Sequence, residues 1–439
     1  MNLKSIFIFL PHQIKSFLFN FISYFTYLKR YSGKFNDYLA FFLTNNDVSF
    51  LNENSTVNIT EEVKILYDIN HSKPIKDFDI IDKVRLKEMI KKNNYYELIS
   101  YKQSLNTSGT SGSALLIPVS NDFLKYKFAS SFFFKEIHNS GIKIKSASFI
   151  GQVIFPLNQK KPPFWIESKY TNQLIFSQYH LNQENVIYYV QALIENNIKT
   201  IHGYPSTISI LSQLILDLGI QNTINDLSLV SITLGSESLS IRQRSLIEGV
   251  FKCKVYNFYG QTESVADIFE CEKGKLHINE SFSFVELIDN KNGYFNLVGT
   301  QLKNTKFPLI RYDTGDLVVY NPEEKCKCGR KSRIISEIIG RNEDFLILND
   351  GRRIGRLDHI FKDSFAVVES QFIQHEKGKS KLLIVKSKEY KQSDEDNIKD
   401  NINEKLGFDF NVEIKYVDTI QKSKNGKLKQ VVNKITLLD

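Results

Sequence analysis

The stretch KTIHGYPSTISILSQLILDL, residues 199–218, joins a short apolar run to a longer segment with helical periodicity. The run at 199–202 predicts a buried strand, and the apolar spacing at 205–218 predicts a helix. The same alternation continues on both sides, with a helix-like segment at 184–196 and strand-like runs at 147–155, 229–234 and 254–258. Strands that alternate with helices indicate an α/β core.

The sequence pattern changes twice in the second half of the chain. Between Phe282 and Tyr320, short strands and turn signals indicate a smaller β-rich subdomain. After Gly340 the sequence is more charged and predicts a compact α+β unit, with strands at 345–348, 381–385 and 412–417 and a helix at 394–406. We therefore predict a large domain at 1–340 and a small domain at 341–439.

The composition is that of a folded protein with a large core. Of 439 residues, 42% are hydrophobic and 13% are aromatic. The net charge of +8 favours anionic ligands or an anionic membrane surface. Nucleic acid is not an expected partner, because the lysines are spread along the chain and no recognised binding motif accompanies them. Four cysteines do not make a disulfide framework in a chain of this length, which favours a reducing cytoplasm.

The N-terminal segment, residues 1–29, is rich in phenylalanine, leucine and isoleucine. Polar residues such as Lys15 and Asn20 interrupt it, so we expect neither a membrane span nor a signal peptide. Its large apolar residues fall on one helical face: Phe17, Leu18, Phe21, Ile22, Phe25 and Leu28. Two interpretations stay open, a helix packed on its own domain and a peripheral helix at the inner face of the membrane.

A loop of glycine and hydroxyl residues precedes the apolar run at 114–119, and it consists of Thr107, Ser108, Gly109, Thr110, Ser111 and Gly112. Two glycines let successive backbone N–H groups turn toward one point, and the hydroxyls add donors, so the loop suits a triphosphate. It is not a P-loop of the G-x-x-x-x-G-K-[ST] type, because the glycine spacing and the lysine are missing. A plain surface turn is the alternative.

Two further segments combine a glycine turn with an acid at the end of a predicted strand. In YNFYGQTE, residues 256–263, the Tyr259 ring can cover an adenine face and the Glu263 carboxylate can hold Mg²⁺ between phosphates. Residues 234–238, LGSES, end the preceding strand in a similar turn. Ligands collect at such strand ends in α/β sheets. Each acid could instead cap a helix or form a turn.

An acid and a lysine complete the set of candidate residues. Asp316, in RYDTGD at 311–316, offers a carboxylate that could accept both hydroxyls of a ribose. Lys427 lies near the C-terminus on a loop favoured by Asn425 and Gly426. A cation there can neutralise the charge that develops when a carboxylate attacks an α-phosphate. The alternative for Asp316 is a helix cap or a turn, and the alternative for Lys427 is an ordinary solvated side chain.

In this order the segments resemble those of the adenylate-forming enzymes, and within them the phenylacetate–CoA ligase family. The shared features are a Ser/Thr/Gly loop, a Tyr-Gly-x-Thr-Glu segment, a Tyr-x-Thr-Gly-Asp segment, a Gly-Arg hinge and a late Gly-Lys. The resemblance extends from about residue 100 to the C-terminus. HGYPS at 202–206 and NGKLKQ at 425–430 are similar to the CapK-type branch of capsular and surface polysaccharide clusters.

The resemblance implies a role for each matching residue. Residues 107–112 would bind phosphates, Asp316 would bind ribose and Glu263 would hold Mg²⁺. The adenine would lie among Ser236, Glu237, Tyr259, Gly260 and Thr262. Arg341 would lie at a hinge about which the small domain rotates, bringing Lys427 in for adenylation and away for acyl transfer. The chain departs from many relatives at Ser113, where they have lysine, and at Glu343, where they have aspartate.

The cysteines suggest a second site. Cys271 and His277 precede part of the β-rich segment, and Cys326 and Cys328 follow it, so a tetrahedral zinc site could join its two ends. Some relatives with a Cys-x-Cys-Gly at this place hold zinc. The alternative is three reduced cysteines without metal, with Cys253 a core residue in either case.

These observations lead to one principal hypothesis and two alternatives. The principal one is a ligase that uses ATP and Mg²⁺ to form an acyl- or aminoacyl-adenylate, and passes the acyl group to a thiol such as CoA, an amine or a sugar hydroxyl. We expect its setting to be surface-polysaccharide synthesis and its acid pocket to lie near Tyr204 and Ser206. The first alternative is a nucleotide-binding scaffold without activity, which Ser113 favours. The second is an enzyme at the membrane surface that acylates a lipid-linked sugar.

Overall fold

The computed structural model divides the chain into two compact units, each built from separate stretches of sequence. The first comprises Met1–Phe19, Ile144–Val255 and Ile339–Asp439, and the second comprises Asn20–Lys143 and Tyr256–Ile338. The described residues are 7–435, without 46, 59, 108–114, 142, 152, 291–292, 302, 342–344, 355–356, 362–365 and 424–425.

Helices and strands alternate over much of the described chain. The helices are α1 His12–Tyr31, α2 Phe35–Asn45, α3 Glu61–Tyr67, α4 Lys83–Lys92, α5 Tyr95–Leu98, α6 Asn121–Glu136, α7 Val186–Glu195, α8 Pro205–Asp217, α9 Ile241–Phe251 and α10 Gln392–Leu406. The strands are β1 Gln103–Asn106, β2 Leu116–Val119, β3 Ser146–Ile150, β4 Trp165–Ser168, β5 Gln173–Ser177, β6 Thr200–Gly203, β7 Ser231–Gly235, β8 Val255–Gly260, β9 Asp267–Glu270, β10 Leu276–Ile278, β11 Phe284–Asp289, β12 Phe295–Gln301, β13 Leu309–Tyr320, β14 Ile334–Arg341, β15 Leu346–Ile347, β16 Arg353–Ile354, β17 Val367–Glu376, β18 Lys379–Lys386, β19 Asn411–Tyr416 and β20 Val431–Asn433.

The strands β7-β6-β3-β5-β4, in that order, form the sheet of the first unit's central part. They run parallel except for β4, which pairs antiparallel with β5. Apolar and hydroxyl residues of β3 (SASFI) and β7 (SITLG) are buried alike, among them Ser146, Phe149, Ser231 and Ile232, as expected of parallel strands covered on both faces. Helices α7, α8 and α9 supply fully buried residues to the same core, among them Val190, Leu211 and Ile247. The predicted α/β core is confirmed.

The C-terminal part of the first unit has a separate mixed sheet, in the order β19-β18-β17-β20. β17 and β18 are antiparallel, and β19 and β20 join them as parallel strands. Ile398 and Ile402 of α10 pack with Phe372 and Leu382 of this sheet. The predicted strands and helix of this part are confirmed, although β17 and β20 were not predicted.

The second unit contains a largely antiparallel sheet, with strands in the order β11-β12-β13-β14-β10-β9-β8, and a hairpin of β1 and β2. The predicted β-rich segment between Phe282 and Tyr320 corresponds to β11, β12 and β13. Aromatic side chains dominate the core beside α2 and α6, where Phe42, Tyr126 and Phe282 lie in one cluster. The predicted boundary between residues 340 and 341 stays a prediction.

Helix α1 packs through one face and exposes another. Lys15 is its one buried residue among those described, and its ammonium lies 4.4 Å from the centroid of the Phe155 ring. On the other face, the exposed fractions of Phe17, Phe21 and Phe25 are 71%, 57% and 49%. No helix among the described residues is both long and apolar enough to cross a membrane.

Candidate functional site

Lys427 lies on the loop that joins β19 to β20. Ser423 donates its N–H to the Lys427 carbonyl (2.9 Å), and its hydroxyl accepts the Lys427 N–H (3.1 Å). Gly426 has a φ of 73°, a left-handed conformation that glycine adopts without a steric cost. The Lys427 ammonium lies 5.6 Å from the centroid of the Tyr204 ring. The predicted lysine thus lies beside the residue predicted to line the acid pocket.

Ser236 and Glu237 follow β7, and they differ in their surroundings. Ser236 is exposed and has a φ of 68°, an unusual conformation for a residue other than glycine. The Glu237 carboxylate accepts the N–H of Ser206 at 3.0 Å with one oxygen and the N–H of Leu428 at 3.0 Å with the other. Loss of hydration raises the pKa of Glu237, although these N–H groups and Lys422 oppose the shift. Glu237 therefore connects the strand end to the loop of Lys427.

Tyr259, predicted to lie at the adenine, and Asp316, predicted to bind ribose, are hydrogen-bonded to each other in the second unit. Tyr259, on β8, donates its hydroxyl to Oδ2 of Asp316 at 2.6 Å, and Asp316, on β13, is 8% exposed. The Thr314 hydroxyl accepts the Asp316 N–H at 3.1 Å, which fixes the backbone of this strand.

Lys127 of α6 holds the turn that carries Glu263. Its ammonium donates to the carbonyls of Gln261 (2.9 Å) and Thr262 (3.3 Å) and also to the Ser264 hydroxyl. Glu263 is only 8% exposed, and its carboxylate accepts no hydrogen bond from a described residue. A buried carboxylate of this kind suits a hard cation. The residues present therefore fit the Mg²⁺ that the resemblance implies.

Gly260 stands at a position that admits no side chain. A Cβ there would lie 2.9 Å from both the Phe258 ring and the Asp267 carboxylate. The predicted turn after Tyr259 therefore depends on glycine for space.

Some predicted residues fall at the limits of the described structure. Thr107 is buried between β1 and β2, where its hydroxyl accepts the Leu115 N–H at 2.9 Å and a bond from the Lys83 ammonium at 3.3 Å. The other predicted phosphate-binding residues, 108–112, lie outside the described residues. The backbone of Arg341 ends β14, and its side chain also lies outside them.

The four residues predicted to bind zinc come together in the second unit. Their ligand atoms all lie within 4.8 Å of one another, in Cys271, His277, Cys326 and Cys328. The Cys271 and Cys326 sulfurs are 3.6 Å apart, and the Cys328 sulfur is 3.4 Å from Nε2 of His277. Tetrahedral zinc with ordinary bond lengths requires separations of about 3.8 Å and 3.6 Å, so the donor set fits the metal.

Residues around these ligands fix their orientation. Nδ1 of His277 lies 3.0 Å from the Ser332 hydroxyl, which leaves Nε2 toward the cysteines. Arg330, which follows the Cys-x-Cys-Gly segment, pairs with Glu272 at 2.8 Å. Cys253 is buried in the first unit and takes no part, as predicted.

Comparisons with known sequences show which proteins the chain is similar to. Residues 346–434 match the family profile described as the CapK C-terminal domain. Protein CapK of Staphylococcus aureus is 29% identical over 355 residues, which cover 78% of this chain and 78% of that protein. The chain is thus similar to CapK over most of its length. A phenylacetate-coenzyme A ligase of Thermus thermophilus is 33% identical over 134 residues, 28% of this chain and 30% of the ligase.

Solved structures agree on the fold. The crystal structure of 2-hydroxyisobutyryl-CoA ligase in the postadenylation state, in complex with R3-HIB-AMP, superposes with a TM-score of 0.59 at 15% identity. The superposition covers 81% of this CapK-like chain and 80% of the ligase. The fold is therefore that of the adenylate-forming ligases, with a large N-terminal part and a smaller C-terminal part, as predicted.

Two polar residues of the site were missed in the sequence. Lys127 lies in a helix far along the chain from the turn that it holds, and Gln178 lies 248 residues from Gly426, whose carbonyl accepts its side-chain N–H at 3.1 Å. Neither belongs to a segment with a recognisable pattern. Only the folded chain brings them to their partners.

Proposed function

We propose that the chain activates a carboxylic or amino acid with ATP as an acyl-adenylate and transfers the acyl group to an acceptor. The observation that carries this proposal is the position of Lys427, which lies over Tyr204 on a loop bonded to Glu237. A lysine near the predicted acid pocket suits adenylation, because negative charge builds up where the acid meets the α-phosphate. In the second unit, Tyr259 and Asp316 supply the adenosine-binding chemistry.

The proposed chemistry has two steps. In the first, a carboxylate oxygen of the acid attacks the α-phosphorus, the bond to the β-phosphate breaks and pyrophosphate leaves. In the second, a thiol, amine or hydroxyl attacks the acyl carbonyl, loses its proton, and AMP leaves. Mg²⁺, when bound, would neutralise charge on the phosphates. Glu263 would hold this ion, and Lys427 would stabilise the charge of the first transition state.

We assign the zinc-type cluster a structural role within this proposal. Four protein ligands leave no open coordination position, which is the pattern of structural rather than catalytic zinc. Cys271 and His277 flank the turn between β9 and β10, whereas Cys326 and Cys328 lie between β13 and β14. A bound ion would thus join strands that are separate in sequence.

The names of the relatives support a more specific setting. Similarity to a protein named CapK favours capsular or surface polysaccharide synthesis, and similarity to a phenylacetate-coenzyme A ligase favours CoA as one acceptor to test. A sugar hydroxyl or an amine would fit the capsular setting equally. The alternative is a relative that binds nucleotide without catalysis.

Exchange between ATP and labelled pyrophosphate, measured over a panel of aryl, hydroxy and amino acids, tests the proposal. We expect exchange with at least one class of acid, and a loss of about 100-fold or more in Lys427→Ala. Lys415→Gln, on an exposed part of β19, is the matched control and should retain the wild-type rate. A protein that binds ATP but exchanges pyrophosphate with no acid would support the non-catalytic alternative.

We further propose a cytoplasmic location with a peripheral contact between α1 and the inner membrane surface. The contact is supported by the exposed apolar face of α1 and by the charge of this region. Residues 1–36 include Lys4, Lys15, Lys29, Arg30 and Lys34 and contain no aspartate or glutamate. Aromatic residues that enter the lipid interface and cations that attract anionic headgroups are the two elements of interfacial helix binding. An acceptor attached to lipid would then lie near the enzyme.

A further inference from the structure

Hydrogen bonds hold the Lys427 loop on both sides of the lysine. Glu237 accepts the N–H of Leu428, the residue that follows Lys427. Gln178 donates its side-chain N–H to the carbonyl of Gly426, the residue that precedes it, at 3.1 Å. All of these residues belong to the first unit. The lysine is therefore held through its two backbone neighbours.

Both fastening residues are themselves bound to the start of helix α8. The second oxygen of Glu237 accepts the Ser206 N–H at 3.0 Å. The side-chain carbonyl of Gln178 accepts the Thr207 hydroxyl at 3.0 Å. Each side chain thus has one end on α8 and the other on the lysine loop. Because α8 extends over 13 residues and packs in the core, it offers a rigid base for both bridges.

The bridge from Gln178 also explains the glycine beside the lysine. A Cβ at position 426 would lie 1.4 Å from the Gln178 side-chain nitrogen and 3.2 Å from the Tyr179 hydroxyl. Gly426 is buried, although Ser423 and Lys427 in the same loop are more exposed. Close approach of the loop backbone to Gln178 therefore needs a residue without a side chain.

We propose that Gln178 and Glu237 are positioning residues that hold the Lys427 loop for adenylation and release it for acyl transfer. This inference rests on the proposed function. Hydrogen bonds between a side chain and a loop backbone are individually modest, so the two bridges can hold the loop and still break at each turnover. If the hydrogen bonds of either Gln178 or Glu237 to the loop are weakened, the Lys427 loop is docked in a smaller fraction of the molecules. Adenylate formation then slows, whereas transfer from a preformed acyl-adenylate does not.

Gln178→Ala and Glu237→Gln test the two bridges separately, and Gln392→Ala, at the exposed start of α10, is the control. We expect acyl-adenylate formation in a single turnover to fall by about 10-fold in each bridge variant, the size of one such hydrogen bond. The KM for ATP and the rate of transfer from added acyl-adenylate to CoA or hydroxylamine should stay within about twofold of wild type. In a Lys427→Ala background, Gln178→Ala should have no further effect.

Hydrogen exchange gives a readout that does not depend on activity. The peptide that contains residues 423–430 should exchange faster in both bridge variants and remain unchanged in Gln392→Ala, at equal thermal stability. Unchanged exchange and adenylation in the variants would overturn the inference. A Glu237→Gln variant that raises only the KM for ATP would overturn the role of Glu237 and favour the adenine contact. If wild type exchanges pyrophosphate with no acid while the peptide still responds, the proposed function fails and the docking contact stands.

Discussion

Tyr259 on β8 and Asp316 on β13 share a hydrogen bond of 2.6 Å, although three strands, β9, β10 and β14, lie between theirs in the sheet. The bond directs one carboxylate oxygen and holds the aromatic ring beside the acid. We predict that Tyr259→Phe, which keeps the ring and removes the donor, raises the KM for ATP by about 3- to 10-fold. Asp316→Asn should raise it by about 10- to 100-fold, because a charged acceptor is lost.

Tyr320→Phe provides the matched control, because Tyr320 lies on β13, the strand that carries Asp316. The Tyr320 ring packs edge-on against Phe295 at 5.7 Å, a contact that phenylalanine preserves. ATP titrations with the purified proteins measure the effect directly. Equal ATP affinity in wild type, Tyr259→Phe and Asp316→Asn would show that Tyr259 and Asp316 do not take part in nucleotide binding.

Metal removal is the second prediction. Purified protein should contain about one zinc ion per chain, and a strong chelator should remove it with a decrease in thermal stability. Cys271→Ser and Cys328→Ser should each lower both the zinc content and the melting temperature. Cys253→Ser removes a buried thiol outside the cluster, so it should retain the metal. Protein without stoichiometric zinc, in which Cys271→Ser is as stable as wild type, would argue for reduced cysteines alone.

The central α/β sheet could be predicted from the sequence because strand-like segments alternate along the chain with helix-like segments. Its strands β3 (SASFI), β6 (TIHG) and β7 (SITLG) contain both apolar and polar residues, and residues of both kinds are buried. Strand β17 was missed because its sequence, VVESQFIQHE, contains only two short apolar pairs, which are separated by polar residues that include two glutamates. Its buried glutamine, Gln374, bonds to the backbone of β15, which only the tertiary structure reveals.

In the candidate site, too, some residues could be predicted from the sequence and others could not. The zinc ligands were predictable because cysteine and histidine at close spacing have few other uses, and the structure brings all four together. The role of Glu237 in bonding the lysine loop was not predictable, because Leu428 lies 191 residues away in sequence. A glycine-acid turn indicates that a ligand or a backbone approaches, but it does not tell which.

Stability should also respond to pH through Asp267. This carboxyl is 5% exposed, and burial raises its pKa from 3.8 to about 6, against the opposing effects of a hydrogen bond from Ser130 and the charge of Lys127. The folded state therefore binds more protons than the unfolded state between these values. Below the pKa that Asp267 has in the unfolded chain, this carboxyl contributes its full stabilisation of the folded state. The contribution is lost as the pH rises through the pKa that Asp267 has in the folded state.

Asp267→Asn should remove this dependence. We expect the free energy of unfolding of wild type, relative to the variant, to fall by up to about 3 kcal/mol between about pH 4 and pH 7. Urea unfolding at several pH values measures it. Asp226→Asn, at an exposed position, should follow wild type throughout. A difference between wild type and Asp267→Asn that does not vary with pH would contradict the prediction.

The exposed face of α1 leads to the last prediction. We expect the full chain to sediment with vesicles of phosphatidylcholine and phosphatidylglycerol, and much less with phosphatidylcholine alone, because the cations near α1 act through anionic headgroups. Replacing Phe17, Phe21 and Phe25 with serine should abolish binding, since it removes the apolar face without altering the charge. Replacing Lys29 and Arg30 with glutamine should weaken binding chiefly at low salt, where the attraction between these cations and anionic headgroups is least screened.

A matched triple variant controls for the loss of exposed apolar area. Leu98, Leu157 and Phe408 are 64%, 65% and 91% exposed and lie outside α1, so their replacement with serine should leave vesicle binding intact. The α1 variant should fold with the stability of wild type, because the replaced side chains lie at the surface. A wild-type chain that ignores anionic vesicles and forms a dimer, which the α1 variant loses, would show that a second copy covers this face instead.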